Sequence, residues 1–334
     1  MNIIIPMAGR GTRLRPHTLT VPKPLIPIAG KPIVQRIVED LSKSYPGQIN
    51  EVAFVIGDFG AAVEKDLLEM AASIGAKGNI YYQEKALGTA HAIYCAAENL
   101  TGNCMIAFAD TLFKADFSFD RNEDGYIWVM KVKDPSAYGV INLDENGYIK
   151  EFVEKPDTFI SDQAVVGIYY FKDSDGLRKE IKRIIDNDIK DKGEYQLTTA
   201  LENLKNNGLM FKPGIIDEWL DCGNSDSLIY ANQRILEFNK SEDLIHNTVV
   251  KENAVIIEPC YIGKNVKIYN SVVGPHVSIG ENTTIENSII KNSIIQNDSN
   301  IRYGNLEDSI IGNKATYNGN HSTVNIGDYS TLNT

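Results

Sequence analysis

Cysteine is scarce in this chain of 334 residues. Cys95, Cys104, Cys222 and Cys260 are scattered with no C-x-x-C spacing, which excludes a thiolate zinc cage and a disulfide framework. The histidines His17, His91, His246, His276 and His321 fall at no ligand spacing, and none is assigned a catalytic role. Long apolar runs are missing too: none approaches the ~18 residues that a membrane span requires. The start lacks a basic segment followed by an apolar one, so no signal peptide is expected and the chain reads as cytoplasmic. Cations are in deficit, 33 Lys and Arg against 44 Asp and Glu, a formal net charge of -11. That balance argues against nucleic acid and anionic membrane as partners. Two phosphate-binding signatures are also absent. There is no G-x-x-x-x-G-K-[ST], and Arg13-Leu14 stand where a dinucleotide fingerprint needs its third glycine.

What is present is concentrated at the start. No Asp or Glu precedes Glu39, yet Arg10, Arg13, Arg15, Lys23, Lys31 and Arg36 all do. In an acidic chain this is a local inversion of the field. Ile3, Ile4 and Ile5 read as a buried strand, and Ala8-Gly9-Arg10-Gly11-Thr12-Arg13 as a glycine-rich turn directly after it. Glycines let backbone N–H groups approach an anion, and Arg and Lys then neutralise it. A strand and loop of this kind suit a polyphosphate. The competing reading is an ordinary strand-to-helix turn with solvated cations.

Length predicts two domains. Through residue 240 short apolar runs alternate with helical periodicity. Strands are expected at 51–57, 79–83 and 105–109, and helices at 32–41, 61–74 and 90–100. This pattern predicts an α/β, Rossmann-like domain, a mixed and mainly parallel sheet with helices on both faces. In such sheets ligands bind beyond the carboxyl ends of the strands, so the loops after Ile5, Gln83 and Ala109 should converge. Residues 126–171 are strand-rich, with a hairpin turn at Asp144-Glu145-Asn146-Gly147, and read as a lid or edge sheet. Helices follow at 177–189, 197–206 and 225–238.

Over residues 245–315 the grammar changes. Ile256, Ile262 and Ile268 recur at a step of six, as do Val273, Ile279 and Ile285, and then Ile289, Ile295 and Ile301. Three aliphatics at that step make one triangular coil, about three coils in all. The stretch resembles the left-handed β-helix of hexapeptide-repeat proteins. A β-sandwich would instead alternate apolar and polar residues. In each of the pairs Val272-Val273, Ile289-Ile290 and Ile294-Ile295 one residue should face outward, which predicts a homo-oligomer joined partly through this domain. Residues 316–334 read as a polar tail in which Ile326 and Leu332 could continue a last partial coil.

The segment Ala8-Gly9-x-Gly11-Thr12-Arg13-Leu14-x-Pro16, with Pro22-Lys23-Pro24-Leu25 and Pro27, resembles the signature of sugar-phosphate nucleotidyltransferases, the NDP-sugar pyrophosphorylases. Met7 is a minor departure from it. The resemblance implies attack by a sugar 1-phosphate on the α-phosphorus of a nucleoside triphosphate. Such a transfer needs positioning and charge neutralisation. It assigns Ala8, Gly9, Gly11 and Thr12 to the nucleotide and Arg13 and Lys23 to the leaving pyrophosphate, with Arg10 and Arg15 as secondary candidates. Gln83 followed by Leu87-Gly88-Thr89-Ala90 resembles the base-reading segment, with Gln83, Gly88 and Thr89 on the nucleotide; a Gln amide offers a donor and an acceptor to the imide edge of uracil or thymine. Asp110 and Asp221, each ending an apolar strand, are the implied Mg2+ ligands. Val153-Glu154-Lys155-Pro156 resembles the family's E-K-P motif, with Lys155 on the sugar phosphate and Glu154 on a hydroxyl. Tyr138, Gly139, Val165 and Gly167 resemble its sugar-pocket segments.

The enzyme expected is a glucose-1-phosphate thymidylyl- or uridylyltransferase. Two alternatives are a guanylyl- or cytidylyltransferase on another sugar or choline phosphate, and an inactive relative serving as an assembly or regulatory subunit. Retention of Arg13, Lys23, Asp110, Lys155 and Asp221 speaks against the second.

Overall fold

The computed structural model describes residues 1–9, 11–115 and 119–320. Arg10 and residues 321–334, with His321, Ile326 and Leu332, lie outside them. The chain forms two compact units: Met1–Ile26 with Lys31–Asn224, and Pro27–Gly30 with Ser225 onward. Among the described residues no helix is long and apolar enough to cross a membrane.

The first unit is a mixed sheet with helices. Its strands are β1 (Asn2–Pro6), β2 (Glu51–Ile56), β3 (Lys77–Tyr82), β4 (Cys104–Ala107), β5 (Thr111–Lys114), β6 (Gly125–Lys131), β7 (Gly139–Leu143), β8 (Ile149–Glu154), β9 (Gln163–Phe171), β10 (Phe211–Ile215) and β11 (Glu218–Asp221). The main sheet runs β8-β7-β9-β4-β1-β2-β3, with β6 also pairing β9 and β10 pairing β6. β1 lies parallel to both β2 and β4, and β9 antiparallel to β4. The strand-rich segment is therefore an edge continuous with the parallel core. The hairpin expected at 144–147 joins β7 to β8.

Why β1 is an unbroken Ile run follows from its position. Ile4 joins a core with Ala90, Ile93, Leu177, Ile181, Ile184 and Leu201, while Ile3 and Ile5, equally buried, point to the opposite face by strand alternation. Helices α1 (Ile33–Ser44), α2 (Ala61–Ser73), α3 (Thr89–Cys95), α4 (Asp175–Asp186) and α5 (Leu197–Asn206) complete the unit. In α1, Ile33, Val34, Ile37, Val38 and Leu41 form the buried stripe that helical period demands.

The second unit is a three-sided parallel β-helix preceded by α6 (Ser225–Phe238). One face stacks five strands from Val250–Glu252 to Thr316–Asn318, and the other two stack four each, more than the three coils expected. Side-chain ladders link residues 17 apart in the early coils and 16 apart in the later ones, so some sides are shorter than six residues. Asn and Asp occupy the corners because these turn residues have positive φ, as at Asn265, Asn282 and Asp298. Their short amides and carboxylates then bond from coil to coil. Buried serines serve the same stacking: Ser271 Oγ accepts the Ser288 N–H, and Ser288 Oγ accepts the Gly304 N–H.

Two positions correct the expected pattern. Ile290 fills the core in register with Val273, while Ile289 is 56% exposed. Ile294 and Ile295 are both buried, because Ile294 lies on the row of Ser278, which bonds to α6. The row Val255, Val272 and Ile289 does face outward in register.

Asn232 of α6, fully buried, ties this unit together. Its Oδ1 accepts the Ala29 N–H at 2.9 Å and the Ser278 hydroxyl at 2.6 Å, and its Nδ2 donates to the His276 carbonyl at 3.3 Å. Asn232→Leu takes the amide away from the buried Ser278 hydroxyl and the His276 carbonyl, and each buried unpaired group costs about 1–3 kcal/mol. Chemical denaturation of the full chain should therefore show a loss of at least about 2 kcal/mol.

Candidate active site

The carboxyl ends of β1, β3 and β4 open onto one cavity of about 380 Å³. It is lined by Ala8, Gly9, Gly11, Thr12, Arg13 and Lys23 from the first loop, by Gln83, Gly88 and Thr89, and by Phe108 and Asp110. Thus the nucleotide set, both clamp cations and one metal candidate, scattered over the sequence, share one wall-to-wall space. Arg15 is exposed and does not line it.

Local bonding explains how the loop holds its cations. The Met7 N–H donates to the Val55 carbonyl, extending β1 toward the turn. Thr18 Oγ1 donates to the Gly11 carbonyl at 2.7 Å, and Leu14 anchors the following 3-10 turn in the core. A tight turn over Pro22–Ile26 presents Lys23, whose side chain is only 12% exposed. Its ammonium stands 4.0 Å from Asp110, which is 61% exposed. A nearly buried ammonium facing one solvated carboxylate has spare capacity for an anion.

Gly88 precedes α3 at φ 118°, and a Cβ there would meet the Tyr195 backbone oxygen at 2.5 Å. Only glycine permits this approach, which lets the Ala90 N–H bond to the Tyr195 carbonyl. Thr89 is spent structurally. Its Oγ1 accepts the Leu197 N–H at 2.9 Å and donates to Gln196 at 3.2 Å.

The two aspartates come together through the β5–β11 ladder. Asp221 pairs with Thr111, and the Cys222 N–H donates to the Asp110 carbonyl at 3.2 Å. Burial pushes the Cys222 thiol up to about 12; Lys23 opposes this, and Asp221 and Asp110 add to it. Among the described residues no three His, Cys, Asp or Glu side chains form a closed metal cage. Two exposed carboxylates, Asp221 at the end of β11 and Asp110 in the turn just before β5, are hard oxygen donors that fit Mg2+, which keeps positions for substrate oxygens and water.

The expected sugar-side residues do not line the cavity but gather beside it. Tyr138 packs edge-on to Trp219 with ring centroids 4.8 Å apart. Its hydroxyl is raised above the usual value by burial first and then by Asp221, with Arg13 opposing. Glu154 accepts from Thr198 at 2.9 Å and faces Lys155 at 3.6 Å. Lys155 has a positive φ of 40°; its N–H donates to the Tyr138 carbonyl, and the Lys192 ammonium donates to the Lys155 carbonyl. A Cβ on Gly139 would stand 3.2 Å from Glu154 Oε2. Gly167 sits in the register shift of β9 and accepts the Phe108 N–H, whereas Val165 is buried in the core.

Sequence reasoning missed Glu194 and His91. Glu194 lines the cavity and accepts from Gln196, and His91 touches Gln83. Only a polar Glu-x-Gln pair ahead of a helix hinted at the first. For His91 no ligand spacing existed to find.

The profile of the Nucleotidyl transferase family matches residues 2–237. The chain belongs to that family. The low-salt glycan biosynthesis nucleotidyltransferase Agl11 of Haloferax volcanii is 28% identical, covering 94% of this chain and 93% of the relative. A glucose-1-phosphate thymidylyltransferase of Streptomyces antibioticus is also 28% identical, covering 93% and 92%. A UDP-glucose pyrophosphorylase solved with UDP-glucose superposes with a TM-score of 0.57 at 23% identity, covering 71% of this chain and 98% of that one. At that identity it speaks for the Rossmann-like fold alone.

Gly223 also lines the cavity, and a Cβ there would stand 2.8 Å from Asp221 Oδ1. Gly223→Ala must move that carboxylate by a few tenths of an ångström. We expect nucleotidyl transfer to fall about tenfold, as misplacement of reacting groups does, with the thermal midpoint nearly unchanged.

Proposed function

We propose that this nucleotidyltransferase moves a thymidylyl or uridylyl group from dTTP or UTP to a sugar 1-phosphate, most simply glucose 1-phosphate. The observation that carries this is one cavity holding Arg13, Lys23, Gln83, Gly88 and Asp110 together. A phosphate oxygen of the sugar phosphate forms a bond to the α-phosphorus. The bond to the β-bridging oxygen breaks, and its electron pair leaves with pyrophosphate. Arg13, able to act bidentately, and Lys23, a point charge, neutralise the leaving group. Lys155 holds the sugar phosphate, Glu154 takes a sugar hydroxyl, and Tyr138, Gly139 and Gly167 shape the sugar pocket, with Val165 packed in the core behind them. Asp110 and Asp221 would hold Mg2+, which when bound supplies charge stabilisation at the α-phosphate.

A panel of nucleoside triphosphates against sugar 1-phosphates, reading pyrophosphate release, tests the reading. dTTP or UTP should lead, and equal or better use of GTP or CTP overturns the base assignment. Asp110→Asn and Asp221→Asn should each lower kcat about a hundredfold or more. Near-wild-type turnover in a folded variant removes that residue from the site.

We further propose a homodimer formed partly through the β-helix. Val255 and Ile289, each 56% exposed, flank Val272 in an in-register aliphatic row. Such a row is self-complementary about a two-fold axis. Light scattering of the full chain at micromolar concentration should give twice the mass of one chain, and a monomer overturns the assembly.

A further inference from the structure

The amide of Gln83 is not free to choose its orientation. Its Nε2 lies 3.3 Å from the Gly88 carbonyl oxygen and 3.1 Å from Nδ1 of His91. A backbone carbonyl only accepts, so the nitrogen end of the amide must face it. The second N–H then points at His91 Nδ1, which can accept only if it carries no proton. Burial lowers the His91 pKa from its ordinary value, so near pH 7 the ring is neutral, with its hydrogen on Nε2. The Cys95 Sγ is 4.0 Å from the same Nδ1, and burial raises that thiol, keeping it protonated and a weak donor. Neither neighbour asks Nδ1 to donate. Both Gln83 N–H groups are therefore spent inside the protein, and Oε1 is what the side chain has left to offer a ligand. This revises the expectation that the amide would present donor and acceptor together.

We infer that His91 is a positioning residue that locks Gln83 as a hydrogen-bond acceptor, so that the site selects a pyrimidine whose ring nitrogen carries a hydrogen. Uracil and thymine have that N3–H. Cytosine has a lone pair there, which would face the Gln83 oxygen unpaired. With the amide reversed, the preference would reverse. The inference rests on the reading that Gln83 meets the base.

The experiment compares the wild type, His91→Ala and His91→Asn. An Asn side chain can place its oxygen where Nδ1 stands and accept without titrating. The first measurement is equilibrium binding of dTTP, UTP and CTP, and the second is the kinetics of pyrophosphate release. Wild type should favour dTTP or UTP over CTP by about tenfold or more, the scale of a buried unpaired polar group. His91→Ala should erase most of that ratio through KM for the nucleotide, with KM for the sugar phosphate within about twofold, and His91→Asn should restore it. Independently of turnover, 15N NMR of the nucleotide-free protein should show His91 with its hydrogen on Nε2. A folded His91→Ala that keeps wild-type discrimination overturns the inference, as does a hydrogen on Nδ1. If wild type binds neither dTTP nor UTP, both this inference and the base assignment fall; if it binds them and only His91→Ala disagrees, this one falls alone.

Discussion

The site depends on one constraint, the parallel pairing of β1 with both β2 and β4. Parallel strands end on the same edge of a sheet, and each must hand its chain to a loop there. With Ile3 opposite both Val52 and Met105, the glycine loop after β1 and Asp110 beyond β4 emerge side by side. β3, one strand further out, delivers Gln83, whose N–H bonds to the Ile56 carbonyl. The Lys23–Asp110 approach follows from this register. A one-residue slip of β1 would turn Ile4 out of its core and carry the loop with it.

Charge within the cavity is arranged by burial more than by number. Lys23 keeps its stem covered and only its head available, while Asp110 stays wet. An ammonium held this way loses little entropy on meeting a phosphate, because its side chain is already ordered. Asp110, with most of its side chain exposed, keeps much of its own hydration. The same economy governs Thr89, whose hydroxyl joins the loop at Leu197 and so fixes the cavity wall.

Much of this was legible in the sequence because its causes are local. The Ile3–Ile5 run, the DENG turn and the amphipathic stripe of α1 each follow from strand or helix periodicity. The five histidines were discounted on spacing, and spacing cannot see a contact between Gln83 at a strand end and His91 in the first turn of α3. That contact exists because the loop between them folds back through Gly88. In the β-helix a step of six was visible, but whether Ile289 or Ile290 points inward depends on where each coil loses residues at a corner. Periodicity fixes the spacing of a pattern and leaves its phase to the corners.

Helix α6 separates two meanings of the word module. By family resemblance it closes the transferase, since the match runs to residue 237. By compactness it belongs with the coils, through the buried amide of Asn232. Any exchange of carboxyl-terminal parts between relatives would therefore inherit a matching problem. A new coil must carry a hydroxyl where Ser278 stands and a backbone carbonyl where His276 offers one, or the transplanted helix arrives with an unanswered amide. A cut in the short stretch before Ser225 keeps α6 with its coils but still parts Asn232 from Ala29, so a graft must also preserve the Pro27–Gly30 stretch.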